Sequence, residues 1–169
     1  MDATTLRQTQ APLKDRYRED PSTARTPLHA QASFVDAGVS ATVPTWAGDV
    51  RAGLHRATGG DGADACSGDM LLEALVACAG VTLRSVATAM GIAIRTAHLS
   101  ADGVFDARGT LGIDRTVEVG VSEVVVTAEL DTDADDAALT KLGSLTERYC
   151  VVGQSLRTPP KIVVRRTGP

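Results

Sequence analysis

The chain has 169 residues, of which 43% are hydrophobic and 22% charged, and its formal net charge is −4. That length suits one domain with a sizeable core, or one domain plus a terminal arm, and the absence of a dense basic patch argues against nucleic-acid binding. Aromatic residues make up only 3%, so Ala, Val, Leu and Gly must carry the packing through close contacts.

Residues 1–25 read as an N-terminal arm and residues 26–169 as a single α+β domain. In the arm, Ala11–Asp20 predicts a short charged helix, with Pro12 early in it and Pro21 just past its end. Thr26–Val35 predicts a strand, because Leu28, Ala30, Ala32 and Phe34 alternate with polar or small residues. Asp36–Gly38 then predicts a turn and Val39–Val43 a return strand, making a hairpin. Asp49–Ala57 predicts a third strand with Val50, Ala52 and Leu54 on one face. The loop that follows holds Gly59, Gly60, Gly62 and Gly68, but no Gly-Lys-Ser/Thr follows, so a nucleotide-phosphate cradle is not expected.

Ser67 to about Met90 carries the strongest helix signal. Ser67 is the expected cap, Asp69 complements the dipole in the first turn, and Gly91 ends the helix. Its middle is apolar nearly all round, which predicts burial on more than one face and hence a second layer or a partner subunit. A long strand over Ile92–Phe105, a loop over Asp106–Thr116 and one strand or a bent pair over Val117–Leu130 follow. Asp133 or Asp135 is expected to start a helix ending near Cys150, then a helical turn in Val151–Leu156 and a last strand over Lys161–Arg165. Strands in groups, not alternating with helices, give α+β.

The longest apolar run, Ala74–Leu83, is about half of what a membrane span needs, and the N-terminus has no apolar leader core. A soluble, cytoplasmic protein with no membrane or nucleic-acid partner is expected. The three cysteines, an odd count without secreted-scaffold spacing, are then free thiols, ligands or redox groups in a reducing compartment.

Cys78 lies mid-helix on a face with Leu71, Ala74, Leu75, Val81 and Thr82, all compatible with a core, and a buried thiol often serves only as a small hydrophobe. A mid-helix position gains little from the helix dipole. Cys150 sits at a helix end beside Arg148, where a cation favours the thiolate. Cys66, in the glycine loop, is either a resolving thiol or a small loop residue. The cysteines are 12 and 72 residues apart, and His29, His55 and His98 show no ligand spacing, so no metal site is expected.

The segment Ser67–Ile92 resembles the central helix of OsmC-like proteins, where an acidic residue and a Leu-rich turn precede a Cys in an Ala/Gly-rich helix. Leu145–Leu156 resembles the later helix end of the same family, where a second Cys follows a basic or aromatic residue. The resemblance covers roughly Thr26 to Arg166. It implies an OsmC-like fold, with antiparallel sheets wrapped around a central buried helix in an intertwined homodimer. It further implies a thiol-dependent peroxidase for organic hydroperoxides, with Cys78 peroxidatic and Cys150 resolving. An apolar pocket would hold a small apolar peroxide. No metal or organic cofactor is implied; an external thiol or dithiol is the co-substrate.

In the peroxidases of this family an Arg from the first hairpin, held by an acid near the start of the central helix, activates the thiol. The matching acid here is Asp69, nine residues before Cys78 and so on the opposite side of an ideal helix. The first hairpin turn holds no Arg; Arg51 and Arg56 on the third strand are the nearest replacements. The segment after Cys150 also lacks the Pro and Ser usual in the peroxidase branches. An alternative from another class is a non-catalytic binder of a small apolar ligand; a third is a structural dimer without a ligand.

Overall fold

The computed structural model describes residues 1–35 and 37–167, and its element order is that of an α+β chain with two three-stranded sheets. In the first sheet, β1 (Ser40–Thr45) pairs antiparallel with β2 (Gly48–Gly53), Val43 opposite Val50, and β3 (Ala65–Cys66) adds in parallel to β2. The expected hairpin is thus displaced by one strand. Its turn falls at Trp46–Ala47, where Gly48 takes a φ of +125° that a side chain would resist. Of the strand expected over Thr26–Val35, a single bridge from Ser33 to Thr42 remains. Leu28 and Phe34 are 89% and 78% exposed, so their alternation meets no apolar layer within this chain, and burial is what makes such a pattern a strand. Asp36, in the expected turn, lies outside the described residues.

The second sheet has the order β4 (Thr96–Val104), β5 (Ser122–Asp131), β6 (Lys161–Arg166). β4 and β5 run antiparallel with Leu99 opposite Ala128, and β6 is parallel to β5 with Ile162 opposite Val126. The loop expected between β4 and β5 contains one helical turn, α3 (Ala107–Thr110). Arg95, just before β4, holds both Asp131 and Asp133 by ion pairs and fixes the end of β5.

On this sheet lie α2 (Ser67–Met90) and α4 (Asp136–Tyr149), with the short α5 (Val151–Ser155) following α4. Asp135 caps α4, accepting from the Ala138 N–H at 2.7 Å. α2 ends where expected, with Gly91 at φ +72° closing the helix. Its start differs: Cys66 takes the cap position and makes no side-chain capping bond, while Ser67 is already helical.

Leu75, Ala79, Leu83 and Ala87 are buried along α2 at four-residue spacing, a single line facing α4, α5 and β4. Within one chain the expected all-round burial does not occur: Ala74 and Ala77 are exposed and Val81 is 74% exposed. By length and composition the whole helix could cross a bilayer, an 18-residue window having mean hydropathy 1.6, although its longest uninterrupted apolar run is short. Its buried line places it in a core instead. That core has two centres. One joins Leu83, Ala87 and Ile94 to Leu130, Leu139 and Leu142. The other joins Leu75 and Ala79 to Val126, Cys150 and Ile162.

The arm is more helical than expected. α1 (Ala3–Glu19) starts at an Asp2 cap that accepts from the Thr5 N–H at 2.8 Å, and Pro12 lies within it rather than at its start. It buries no residue and touches α2.

Candidate functional site

The second core centre brings together the two cysteines that sequence reasoning singled out. Cys78 is half-buried on α2, three residues past the fully buried Leu75. Cys150 ends α4 with its N–H on the Thr146 carbonyl at 2.9 Å, and it also caps α5. Its Sγ accepts from the Gly153 N–H at 3.4 Å, and its residue is 0% exposed. Cys78 packs against the buried cluster that holds Cys150, and each thiol bears on the other's acidity. Leu72, Leu99, Ala101, Val124, Val152 and Leu156 pack around them, giving an apolar lining.

The two thiols titrate in opposite directions. Partial burial alone would push the Cys78 thiol up. Nearby donors, the Val152 amide, the Cys150 thiol, the Thr82 hydroxyl and the Val151 amide, outweigh this and hold it below its ordinary value. Burial pushes the Cys150 thiol up, only partly offset by the Gly153 amide, and its neighbour's charge raises it further. Pairs of titratable groups driven apart in this way are what divide chemical roles within a site. Here Cys78 is the better thiolate and Cys150 stays a thiol beside it.

Arg148 does not promote a Cys150 thiolate. Its guanidinium lies over the Tyr149 ring, 5.6 Å from the centroid, and burial controls Cys150. Arg51 is ion-paired with Asp64 at 3.0 Å. Arg56 lies on a short turn at Arg56–Thr58, packed against Gly62. Neither arginine is among the groups that bear most on Cys78. Asp69 lines a cleft of about 270 Å³ with His55, Cys66, Leu72 and Phe105, and Leu72 also packs beside the thiols. Cys66, twelve residues before Cys78 and so about 18 Å along the helix axis, belongs to that cleft too. Thus the structure unites Cys78 with Cys150 and sets Asp69, Arg51, Arg56 and Cys66 apart from the groups acting on them. Among the described residues no cluster of His, Cys, Asp and Glu is arranged to hold a metal ion.

Thr82 was visible in the sequence as a face-mate of Cys78, one helical turn on, but without a role. The Val151 and Val152 amides were not visible at all, since a backbone donor leaves no mark on residue type.

The fold and the site define a class: α+β proteins that carry a thiol pair where a long central helix meets a second helix end. The family model for OsmC-like protein matches residues 60–165, more than half of the chain, and the chain belongs to that family. Among solved structures it resembles an OsmC-like protein from Mycoplasma pneumoniae, at 18% identity and TM-score 0.64, over 84% of this chain and 96% of the other. It also resembles an organic hydroperoxide resistance protein from Elizabethkingia anophelis, at 14% identity and TM-score 0.67, over 85% and 99%. A third is the organic hydroperoxide resistance protein OsmC from Legionella pneumophila, at 15% identity and TM-score 0.61, over 85% and 100%. At these identities the likeness is one of fold. No curated protein sequence matches the chain.

Proposed function

We propose that the protein is a thiol-dependent peroxidase acting on organic hydroperoxides, with Cys78 as nucleophile and Cys150 as resolving thiol. What supports this is a pair of thiols in one apolar cluster whose acidities are driven apart. The Cys78 thiolate attacks the terminal oxygen of the hydroperoxide. The O–O bond breaks, the alkoxide takes up a proton and leaves as the alcohol, and Cys78 becomes a sulfenic acid. The Cys150 sulfur then displaces water from it, losing its proton and forming the Cys78–Cys150 disulfide. An external thiol or dithiol returns both sulfurs to the reduced state. The apolar neighbours Leu72, Leu99 and Val152 suit an alkyl tail better than hydrogen peroxide. The same lining also favours the second reading, a non-catalytic binder of a small apolar ligand.

One equivalent of an organic hydroperoxide added to reduced protein separates the two. Loss of two thiols with an intact-mass change of two hydrogens supports the peroxidase. Retention of all three thiols would remove the catalytic reading and leave the binder.

The working unit proposed is a homodimer in the cytoplasm, its partner covering the exposed side of α2. Val81 at 74%, Phe34 at 78% and Trp46 at 100% exposure leave large apolar groups in water within one chain. Sedimentation equilibrium is expected to give twice the 17.5 kDa chain mass, and Val81→Lys to shift the protein toward the monomer. A monomeric wild type would rule this out.

A further inference from the structure

We infer that Glu147 is the positioning residue of the resolving thiol: it fastens the turn that carries Cys150 to the edge of the second sheet, so that Cys150 is held for closure onto Cys78. This rests on the proposed role of Cys150. The step it serves is the second one. The Cys150 sulfur attacks the Cys78 sulfenic acid, the S–O bond breaks, and the hydroxyl leaves as water with the Cys150 proton.

The fastening follows from the edge of the sheet. β6 is the outer strand in the order β4, β5, β6, so backbone groups on its free side have no strand to bond. α4 packs against β6. Gly143 lets it come close, since a Cβ there would lie 2.8 Å from the Ile162 carbonyl oxygen. One turn on, on the same helix face, Glu147 Oε1 accepts from the Ile162 N–H at 2.7 Å. Ile162 is 6% exposed and packs in the same apolar cluster as Cys150. The carboxylate thus satisfies a backbone donor that packing takes from water.

From Glu147 the hold runs to both sides of Cys150. Downstream, the Gln154 side chain donates to the Glu147 carbonyl at 2.8 Å, and the Gln154 N–H donates to the Cys150 carbonyl at 2.9 Å. Upstream, the Cys150 N–H donates to the Thr146 carbonyl at 2.9 Å, and the buried Thr146 hydroxyl donates to the Leu142 carbonyl at 2.8 Å. Cys150 turns the chain between α4 and α5, and Glu147 is the residue that ties this turn to a strand. A carboxylate suits the post: it only accepts, and its bond to an amide is charge-assisted.

The test follows the two steps apart in the reduced full-length protein, mixed with one equivalent of cumene hydroperoxide and quenched at intervals. Dimedone traps the sulfenic acid, intact mass counts the trapped and disulfide forms, and digestion assigns the bridged pair. Glu147→Ala is expected to oxidise Cys78 at the wild-type rate. It should close the disulfide about tenfold more slowly, as loss of one hydrogen bond to a charged group does, with the trapped fraction rising. Glu147→Gln keeps an acceptor oxygen in place and should restore wild-type closure. Gln154 is exposed, and Gln154→Ala should slow closure in the same direction but by less. Wild-type closure in Glu147→Ala overturns the inference, as does closure in Glu147→Gln as slow as in Glu147→Ala. Where Glu147→Ala does not fold, wild-type closure in Gln154→Ala overturns it. The same variants are also treated with diamide, which oxidises neighbouring thiols to a disulfide and is itself reduced to the hydrazine. A wild type that leaves the hydroperoxide unreacted, with diamide closure slowed in Glu147→Ala and restored in Glu147→Gln, refutes the peroxidase and retains the positioning of Cys150.

Discussion

Cys78→Ser is expected to abolish consumption of organic hydroperoxide, because a serine hydroxyl at neutral pH offers no anion to attack the O–O bond. The loss should exceed about a thousandfold, with secondary structure by circular dichroism unchanged, since Cys78 is only half-buried and the replacement is nearly isosteric. Cys150→Ser is expected to behave differently. Cys78 keeps its thiol, so the first oxidation proceeds, but no second sulfur remains to condense with the sulfenic acid. One equivalent of peroxide should be consumed, with a mass gain of one oxygen and no disulfide. Normal turnover by Cys78→Ser would place the chemistry elsewhere. Continued turnover by Cys150→Ser would mean that the external thiol resolves the sulfenic acid directly.

Leu142→Ala should cause a large loss of stability without touching either thiol. Leu142 is 0% exposed and joins α4 to Leu83 and Ala87 of α2 and Leu130 of β5. Removing three buried carbons and leaving a cavity costs about 3 kcal/mol. At roughly 2–4 °C per kcal/mol for a chain of this size, the midpoint should fall by about 6–12 °C. Its neighbour gives the opposite test. Gly143→Ala would gain about 1 kcal/mol of helix propensity at an open helix position. Here the added methyl would lie 2.8 Å from the Ile162 carbonyl oxygen, which belongs to the backbone of β6 and cannot rotate away. The clash should prevail, with α4 lifting from β6 and a net loss of about 1–2 kcal/mol. Chemical denaturation of both variants checks this. A loss below about 1 kcal/mol for Leu142→Ala would contradict the packing of α4 on α2.

Success and failure in reading the sequence have a physical cause. α2 was legible because its apolar run is long and its stop signal, Gly91, acts locally. α4 was legible through its acidic start, with Asp133 and Asp135 both candidates until the structure showed Asp135 as the cap. Both cysteines were legible as residues, and their setting in the chain pointed to the family. The Thr26–Val35 strand failed because its alternation has no apolar layer to face within the chain, so propensity found no burial to support it. The arm helix was begun too late because Pro12 imitates a start signal, whereas the Asp2 cap decides.

What this sequence determined by itself was most of the segments from β2 onward that are helix or strand, and that a thiol lies in each of two helical contexts. Local hydrogen bonding, side-chain spacing and glycine conformation suffice for that. Only the tertiary structure decided that Cys78 and Cys150 share one apolar cluster, that burial weakens one as an acid while nearby donors strengthen the other, and that Asp69, Arg51 and Arg56 lie apart from the groups acting on them. Acidity depends on solvent access and on donors brought from 72 residues away. Neither is a property of the residues next to a cysteine in the chain.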